Sequence, residues 1–235
     1  MKFYKLIFIF IFFCLSLTSV FATQTIFNVP SADVINKGEV YLMEEVQTTP
    51  WETEDAFFST TASAFGLGHN TEINSNLFNV GSPDTENISI SVGFKSAIPI
   101  PVLKDKFPER EFKLTVGSNL LIGLQGNGIG NWTYAHLSGR VPKINTRLTA
   151  GLNYGGRQVF GTNGLSVIAA FEQPITKKFS IIGDWYSGSE HWAGYLIVGG
   201  SYELPKRTTL YAGYQIPNGP NVGTAGFVLQ LAKIF

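Results

Sequence analysis

From residue 38 onward the apolar side chains recur at every second position. In 87–95, Ile88, Ile90, Val92 and Phe94 share one face and Asn87, Ser89, Ser91, Gly93 and Lys95 the other. Residues 144–154 repeat the pattern, with Ile144, Leu148, Ala150, Leu152 and Tyr154 opposing Asn145, Arg147, Thr149, Gly151 and Asn153. In 132–141, Ala135, Leu137 and Val141 oppose His136, Ser138 and Arg140; in 72–77, Ile73 and Leu77 oppose Glu72, Asn74 and Asn76. Successive strand side chains point to opposite faces, so this period predicts β-strands with one apolar face. The predicted strands are 38–47, 55–66, 70–79, 86–97, 110–122, 129–141, 144–154, 163–173, 177–187, 191–203, 206–215 and 222–234. No stretch of helical period stands out after residue 37. Each strand is close to the roughly 9–11 residues that a tilted strand needs to cross a bilayer. Twelve is the predicted count, with ten as the alternative.

The connections alternate in length. Tight turns fall at 67–69, 142–143, 174–176 and 204–205. Longer stretches rich in Gly, Asn, Ser and Pro fall at 48–54, 80–85, 155–162 and 216–221. Short turns on one side and long loops on the other are the habit of a transmembrane barrel. Segment 98–109 breaks the rule, a long stretch on the short-turn side with Pro99, Pro101 and Pro108; it reads as a periplasmic loop folded against the barrel mouth. Aromatic residues gather at strand ends. Trp51, Trp132, Trp185 and Trp192, with Phe57, Tyr154 and Tyr186, mark the long-loop ends. Phe65, Phe94, Phe112, Phe171, Phe179 and Tyr202 mark the short-turn ends. Two aromatic belts one strand length apart are what two lipid–water interfaces select. A soluble sandwich would place its tryptophans mid-strand.

The first 22 residues differ from the rest. Lys2 and Lys5 precede an apolar run over 6–17, and Val20-Phe21-Ala22 offers small residues at the positions a signal peptidase reads. This predicts a secretory signal peptide over 1–22. The chain's 17 basic and 17 acidic side chains balance; without Lys2 and Lys5 the remainder is slightly acidic. A nucleic-acid binder would carry a basic excess. The single cysteine, Cys14, lies in the apolar run, so thiol chemistry and disulfide scaffolds are excluded from the remainder. No later apolar run reaches the length of a transmembrane helix.

These features together resemble bacterial outer-membrane β-barrel proteins, a porin-like superfamily. The last strand adds to the resemblance: Phe227, Leu229, Leu231 and Phe235 share one face and an aromatic residue ends the chain, although Lys233 departs from the pattern. The resemblance implies that Phe235 presents a C-terminal signal to the barrel-assembly machinery and that outer-membrane lipids surround the chain. The expected fold is all-β, a closed antiparallel up-and-down transmembrane β-barrel over 38–235, preceded by a periplasmic N-terminal segment over 23–37. Ile88, Val92, Leu114, Leu137, Leu148, Val167, Leu229 and Leu231 are expected outside. Glu72, Asn74, Asn76, Lys95, Lys113, Asn119, His136, Arg140, Arg147, Asn153 and Glu172 are expected to line the lumen. Trp51, Trp132, Trp185, Trp192, Phe112, Phe171, Tyr202 and Phe235 are expected at the membrane interfaces. Twelve strands lie between side-chain-filled eight-stranded barrels and open sixteen-stranded porins. The lumen is therefore either a narrow pore or closed by side chains, loops or segment 23–37.

Candidate chemistry is sparse. His136 and Ser138 share a strand face and resemble the His-x-Ser element of outer-membrane lipid A deacylases, but they fall on the polar, inward face, and no acidic orienter accompanies them. His69 and His191 are isolated, so no metal site is expected, and no cofactor. The glycines of 126–130 lack the spacing and strand-to-helix context of a dinucleotide site. Glu44 and Glu45 are adjacent and receive no role. Arg140 and Arg147 flank one tight turn, where they either form a basic constriction or pair with Glu72 or Glu172. The sequence thus points to a non-enzymatic outer-membrane barrel, either a passive pore for small polar solutes or a structural envelope protein. The alternatives are a lipid hydrolase built on His136 and Ser138 and a soluble secreted sandwich or lipocalin-like binder.

Overall fold

The computed structural model describes residues 25–51, 56–82, 88–126, 128–157, 164–189 and 193–235. The segment read as a signal peptide, and Trp192, lie outside the described residues. Twelve strands form one sheet: β1 (Val40–Thr49), β2 (Ala56–Gly68), β3 (Thr71–Ser82), β4 (Ser89–Pro99), β5 (Lys113–Gly123), β6 (Ile129–Arg140), β7 (Arg147–Gly155), β8 (Gly164–Pro174), β9 (Phe179–Tyr186), β10 (Tyr195–Leu204), β11 (Thr208–Pro217) and β12 (Gly226–Ile234). Each pairs antiparallel with its sequence neighbours, and β1 pairs with β12, so the sheet is a closed barrel. Closure leaves no unpaired edge, which hydrocarbon would penalise. The seam runs from Tyr41 opposite Ile234 to Thr48 opposite Phe227. It ends with Val40 and Phe235 exchanging backbone hydrogen bonds.

The side-chain alternation faces as a membrane barrel requires. Ile90, Leu148 and Leu229 are 37%, 51% and 51% exposed, whereas Asn74, Arg147 and Asn153 are 7%, 5% and 1% exposed. A soluble sandwich would show the reverse, so that alternative falls. Val92, Leu114, Leu137, Val167 and Leu231 are exposed with them on the outer surface, and Ile88 is partly exposed.

The short-turn belt has a specific construction. Phe112 lies over Gly139, Phe171 over Gly183 and Phe179 over Gly200, each ring occupying the space a Cβ on that glycine would need. Aromatic rings thereby cover the backbone of outward-facing glycines in neighbouring strands. Tyr202 and Phe235 are exposed in the same zone, and the Lys233 ammonium sits 4.4 Å from the Phe235 ring centroid. At the other rim, Trp51 packs on Tyr214 and Phe227 with centroids 6.2 and 5.3 Å away, and its indole donates to the Ala225 carbonyl. Trp185, on the outward side of β9, donates to Asn218 at 3.0 Å. Trp132 corrects the expectation. It shares the inward parity of Tyr134 and His136 and packs at a tilt on Tyr134 with centroids 5.4 Å apart, against the buried cluster. Its position near the rim was legible, but a one-residue difference in parity decides the face.

The segment expected as an irregular loop at 98–109 contains a short helix, α1 (Pro101–Lys106), and a 3-10 turn (Pro108–Arg110). Proline begins each, where its missing N–H costs nothing. Six residues are too few to show helical period in sequence.

One polar group breaks the outer belt. Glu44 projects outward at the centre of β1, while Glu45 points in and is buried. The hydroxyls of Ser59 and Thr61, across the β1–β2 seam, both donate to the Glu44 carboxylate, Thr61 at 2.6 Å. A carboxylate on the lipid face near mid-height destabilises a barrel by less than the roughly 2–4 kcal/mol of a basic residue there. Glu44→Leu should therefore stabilise the barrel against urea in lipid vesicles by about 1 kcal/mol. Destabilisation would show that the hydroxyl pair outweighs the desolvation.

Candidate functional site: a lumen filled by the N-terminal segment

Inside the barrel lies a stretch of chain that belongs to no strand. Ile26, Phe27, Val29, Ser31, Ala32 and Ile35 are all buried. Their sequence, apolar residues with Pro30 among them, suits neither period 2 nor period 3.6, and the segment is irregular apart from a tight turn in which the Ile26 amide donates to the Val29 carbonyl at 2.9 Å. Inward glycines make room for it. A Cβ on Gly213 would stand 2.7 Å from the Phe27 ring, and one on Gly66 would stand 2.0 Å from the Asn36 carbonyl oxygen.

Wall side chains hold the segment at several points. On β9, one carboxylate oxygen of Asp184 accepts three consecutive backbone N–H groups, from Phe27, Asn28 and Val29, at 2.9, 2.6 and 2.7 Å. A turn whose amides converge in this way is an anion-binding concavity, here closed on an internal carboxylate. Tyr186 donates to the Asn28 carbonyl at 3.1 Å, and Gln230 donates to the Phe27 carbonyl and to Glu45. Nearer the short-turn mouth, Asp33 meets Arg147 through two contacts, 2.5 and 3.1 Å, and Lys113 at 3.2 Å. Lys113 also donates to the Ala32 carbonyl at 3.2 Å. The Ile35 amide donates to Glu72 at 3.1 Å, and Glu72 pairs with Lys95 at 3.0 Å, both fully buried. Burial pushes the Asp33 carboxyl toward protonation, but Arg147 and then Lys113 outweigh it and hold it well below the usual carboxylate range. The ionised anchor is therefore fully present above that range and is lost only in strong acid.

The residues expected to line the lumen all carry inward parity. Asn76 donates to Ser91 at 2.9 Å. Arg140 pairs with Glu111 at 2.7 Å, and Arg147 with Glu172 at 3.2 Å as well as with Asp33. The two arginines thus sit in ion pairs, Arg147 with one of the carboxylates the sequence offered. Asn74, Thr115, Asn119 and Asn153 are buried on the β3–β7 side of the barrel with side-chain polar atoms that have no hydrogen-bond partner. His136 and Ser138 are buried inside, 1% and 4% exposed, away from the lipid face on which a lipid hydrolase must act. Nothing supports that alternative. Sequence reasoning missed Asp33, Asp184, Glu45, Gln230 and Tyr186. The last four sit at inward positions of recognised strands, so parity alone could have added them to the lumen set.

At the point where the segment leaves the barrel, Glu39 forms a two-pronged pair with Arg207 of the β10–β11 turn, at 2.8 and 2.9 Å, and accepts the Asn36 amide at 3.1 Å. The Arg207 hydrogen bonds lower the Glu39 carboxyl from 4.5 to about 2. A depressed carboxylate stabilises the fold above its unfolded pKa and loses that contribution as pH falls through the folded one. The stability gap between the native chain and Glu39→Gln should be constant above about pH 4.5 and close toward about pH 2. Denaturant midpoints across that range check this; a gap independent of pH would show that the pair contributes nothing.

A closed twelve-stranded barrel with an apolar outer face, an interior that joins polar side chains to an apolar cluster, and its own chain in the lumen defines a membrane-spanning β-barrel with an internal plug. The sequence matches no protein-family model and no curated protein. Solved structures resemble its fold. The KdgM porin in complex with disordered oligogalacturonate has a TM-score of 0.54 at 13% identity, covering 84% of this chain and 99% of that one. The KdgM porin has a TM-score of 0.52 at 12% identity, covering 84% and 98%. At these identities the likeness is one of architecture.

Proposed function

We propose that this protein is a bacterial outer-membrane channel for small polar solutes, closed in the state described by residues 25–37. The observation that carries the reading is the way the lumen is filled. The segment is held by side-chain hydrogen bonds, ion pairs and the packing of Ile26, Phe27, Val29 and Ile35 in the buried cluster, and contributes no rung to the barrel ladder, so it can withdraw without unpairing a strand. What it covers is a mixed wall: Ile26, Phe27 and Val29 share a buried cluster with Ile168, Ile182, Ile197 and Val228, while Asn74, Thr115, Asn119 and Asn153 lie buried on the β3–β7 side. Side-chain polar atoms of Asn74, Thr115, Asn119 and Asn153 have no partner among the described residues, and water or a polar solute can satisfy them once the segment withdraws. The architectural likeness to a porin recorded with oligogalacturonate supports passage of hydrophilic solutes. Phe235, exposed at the end of β12, is the proposed contact for the barrel-assembly machinery.

The test has three parts. The chain should fractionate with the outer membrane, migrate faster on a gel before heating than after, and give infrequent stepwise openings in a planar bilayer. A folded, inserted protein that stays silent both with and without residues 25–37 would leave only the structural envelope reading.

A further inference from the structure

We propose that Arg147 and Lys113 form a binding site for the carboxylate of a small hydrophilic acid, and that Asp33 is the internal occupant of that site. The inference rests on the channel reading above, in which the N-terminal segment withdraws.

The site belongs to the barrel wall. Arg147 opens β7 and lies directly opposite Glu172 of β8 in the sheet register. Glu172 contacts the guanidinium at 3.2 Å, a hold that belongs to the wall and not to the plug. The same guanidinium presents two nitrogens to Asp33, one to each carboxylate oxygen. This fork is the geometry by which arginine recognises a carboxylate, and a lysine at that position would not reproduce it. Lys113, opening β5, adds a charge to one of those oxygens at 3.2 Å and contacts the neutral Ala32 carbonyl at the same distance. The pattern is a carboxylate with a neutral oxygen acceptor beside it, as in a hydroxy acid.

The charge count points the same way. Among the described residues here, Lys95 has Glu72, Arg140 has Glu111 and Arg147 has Glu172 as partners outside the N-terminal segment. The carboxylate opposite Lys113 comes from the segment. When Asp33 leaves, one positive charge near the short-turn mouth goes unbalanced, in a partly buried site where charge counts for more than in bulk water. A solute carboxylate that enters restores the balance and competes with Asp33, which couples solute binding to opening.

Equilibrium dialysis with labelled gluconate, on the full chain in detergent, tests this without relying on conduction. Asp33→Asn should bind gluconate roughly tenfold or more tightly than the native chain, because the competing occupant holds the native site in its blocked state. Adding Lys113→Gln to Asp33→Asn should abolish the gain, and uncharged glucose should bind to neither. Asp33→Ser serves as a second variant where asparagine keeps the segment seated. Heat-modifiable mobility reports that each variant is folded. Folded Asp33→Asn and Asp33→Ser proteins that bind gluconate no better than the native chain, or that bind it equally after Lys113→Gln, would overturn the proposal. Failure of the channel reading is separate. A barrel that binds gluconate yet never conducts keeps the site and loses the channel, and one that conducts without binding does the opposite.

Discussion

Deleting residues 25–37 should leave a folded twelve-stranded barrel that conducts continuously. The ladder supports the first half of this expectation. Strand β1 begins at Val40, its pairing with β12 runs from Tyr41 to Thr48, and the Glu39–Arg207 pair lies beyond the deletion. The contacts removed lie within the segment, between it and the wall, and between Asn36 and Glu39, so no strand pairing is lost. The second half follows from lumen size, since twelve strands enclose more space than the eight whose side chains fill the interior. If the anchors bias the native chain to roughly 1% open, their loss raises mean conductance about a hundredfold. Single-channel recording on protein reconstituted in parallel measures the ratio. An unchanged record from a deletion variant that still shows heat-modifiable mobility would mean that wall side chains close the lumen unaided.

Asp184→Ala should release the front of the plug while leaving the barrel intact. A single carboxylate oxygen satisfies three successive amides of a turn whose Phe27 and Val29 are buried. Each amide left without an acceptor costs about 1–3 kcal/mol, so the turn has reason to leave once the carboxylate is gone. Asp184→Asn retains one acceptor oxygen and should fall between the two. The direct readout is hydrogen exchange at Phe27, Asn28 and Val29. Protection should drop roughly tenfold or more in Asp184→Ala, with barrel amides unchanged. Equal protection in both proteins would place the anchoring elsewhere, with Asp33 and Glu72 as the remaining holds. The two experiments separate contributions, because the first removes the whole plug and the second only the contact at mid-lumen.

Much of the envelope of this molecule is local and legible in its sequence. Side-chain alternation is a property of adjacent residues, so Ile90, Val92 and Phe94 declare a shared face wherever β4 sits in the sheet. Strand length and the succession of tight and long connections add the barrel, and aromatic residues at strand ends add its two rims. The same parity placed Glu72, Asn74, Lys95, Arg147 and Asn153 together on the inward side. Trp132 shows the limit. Its distance from a loop points to the rim, whereas its face follows from parity with Tyr134 and His136, and parity places its indole inside.

What fills the lumen could be settled only by the tertiary structure. Residues 25–37 carry no period to declare their place, and their partners lie far along the chain: Asp184 is 157 residues from Phe27, and Arg147 is 114 residues from Asp33. Sequence determined which side chains face oil and which face the interior, because that choice is made by neighbours two positions apart. Only the closed barrel decided that a turn at Phe27–Val29 meets one carboxylate of β9 and that Asp33 meets the cations of β5 and β7. Those meetings depend on register and curvature around the whole ring, which no short stretch of sequence encodes.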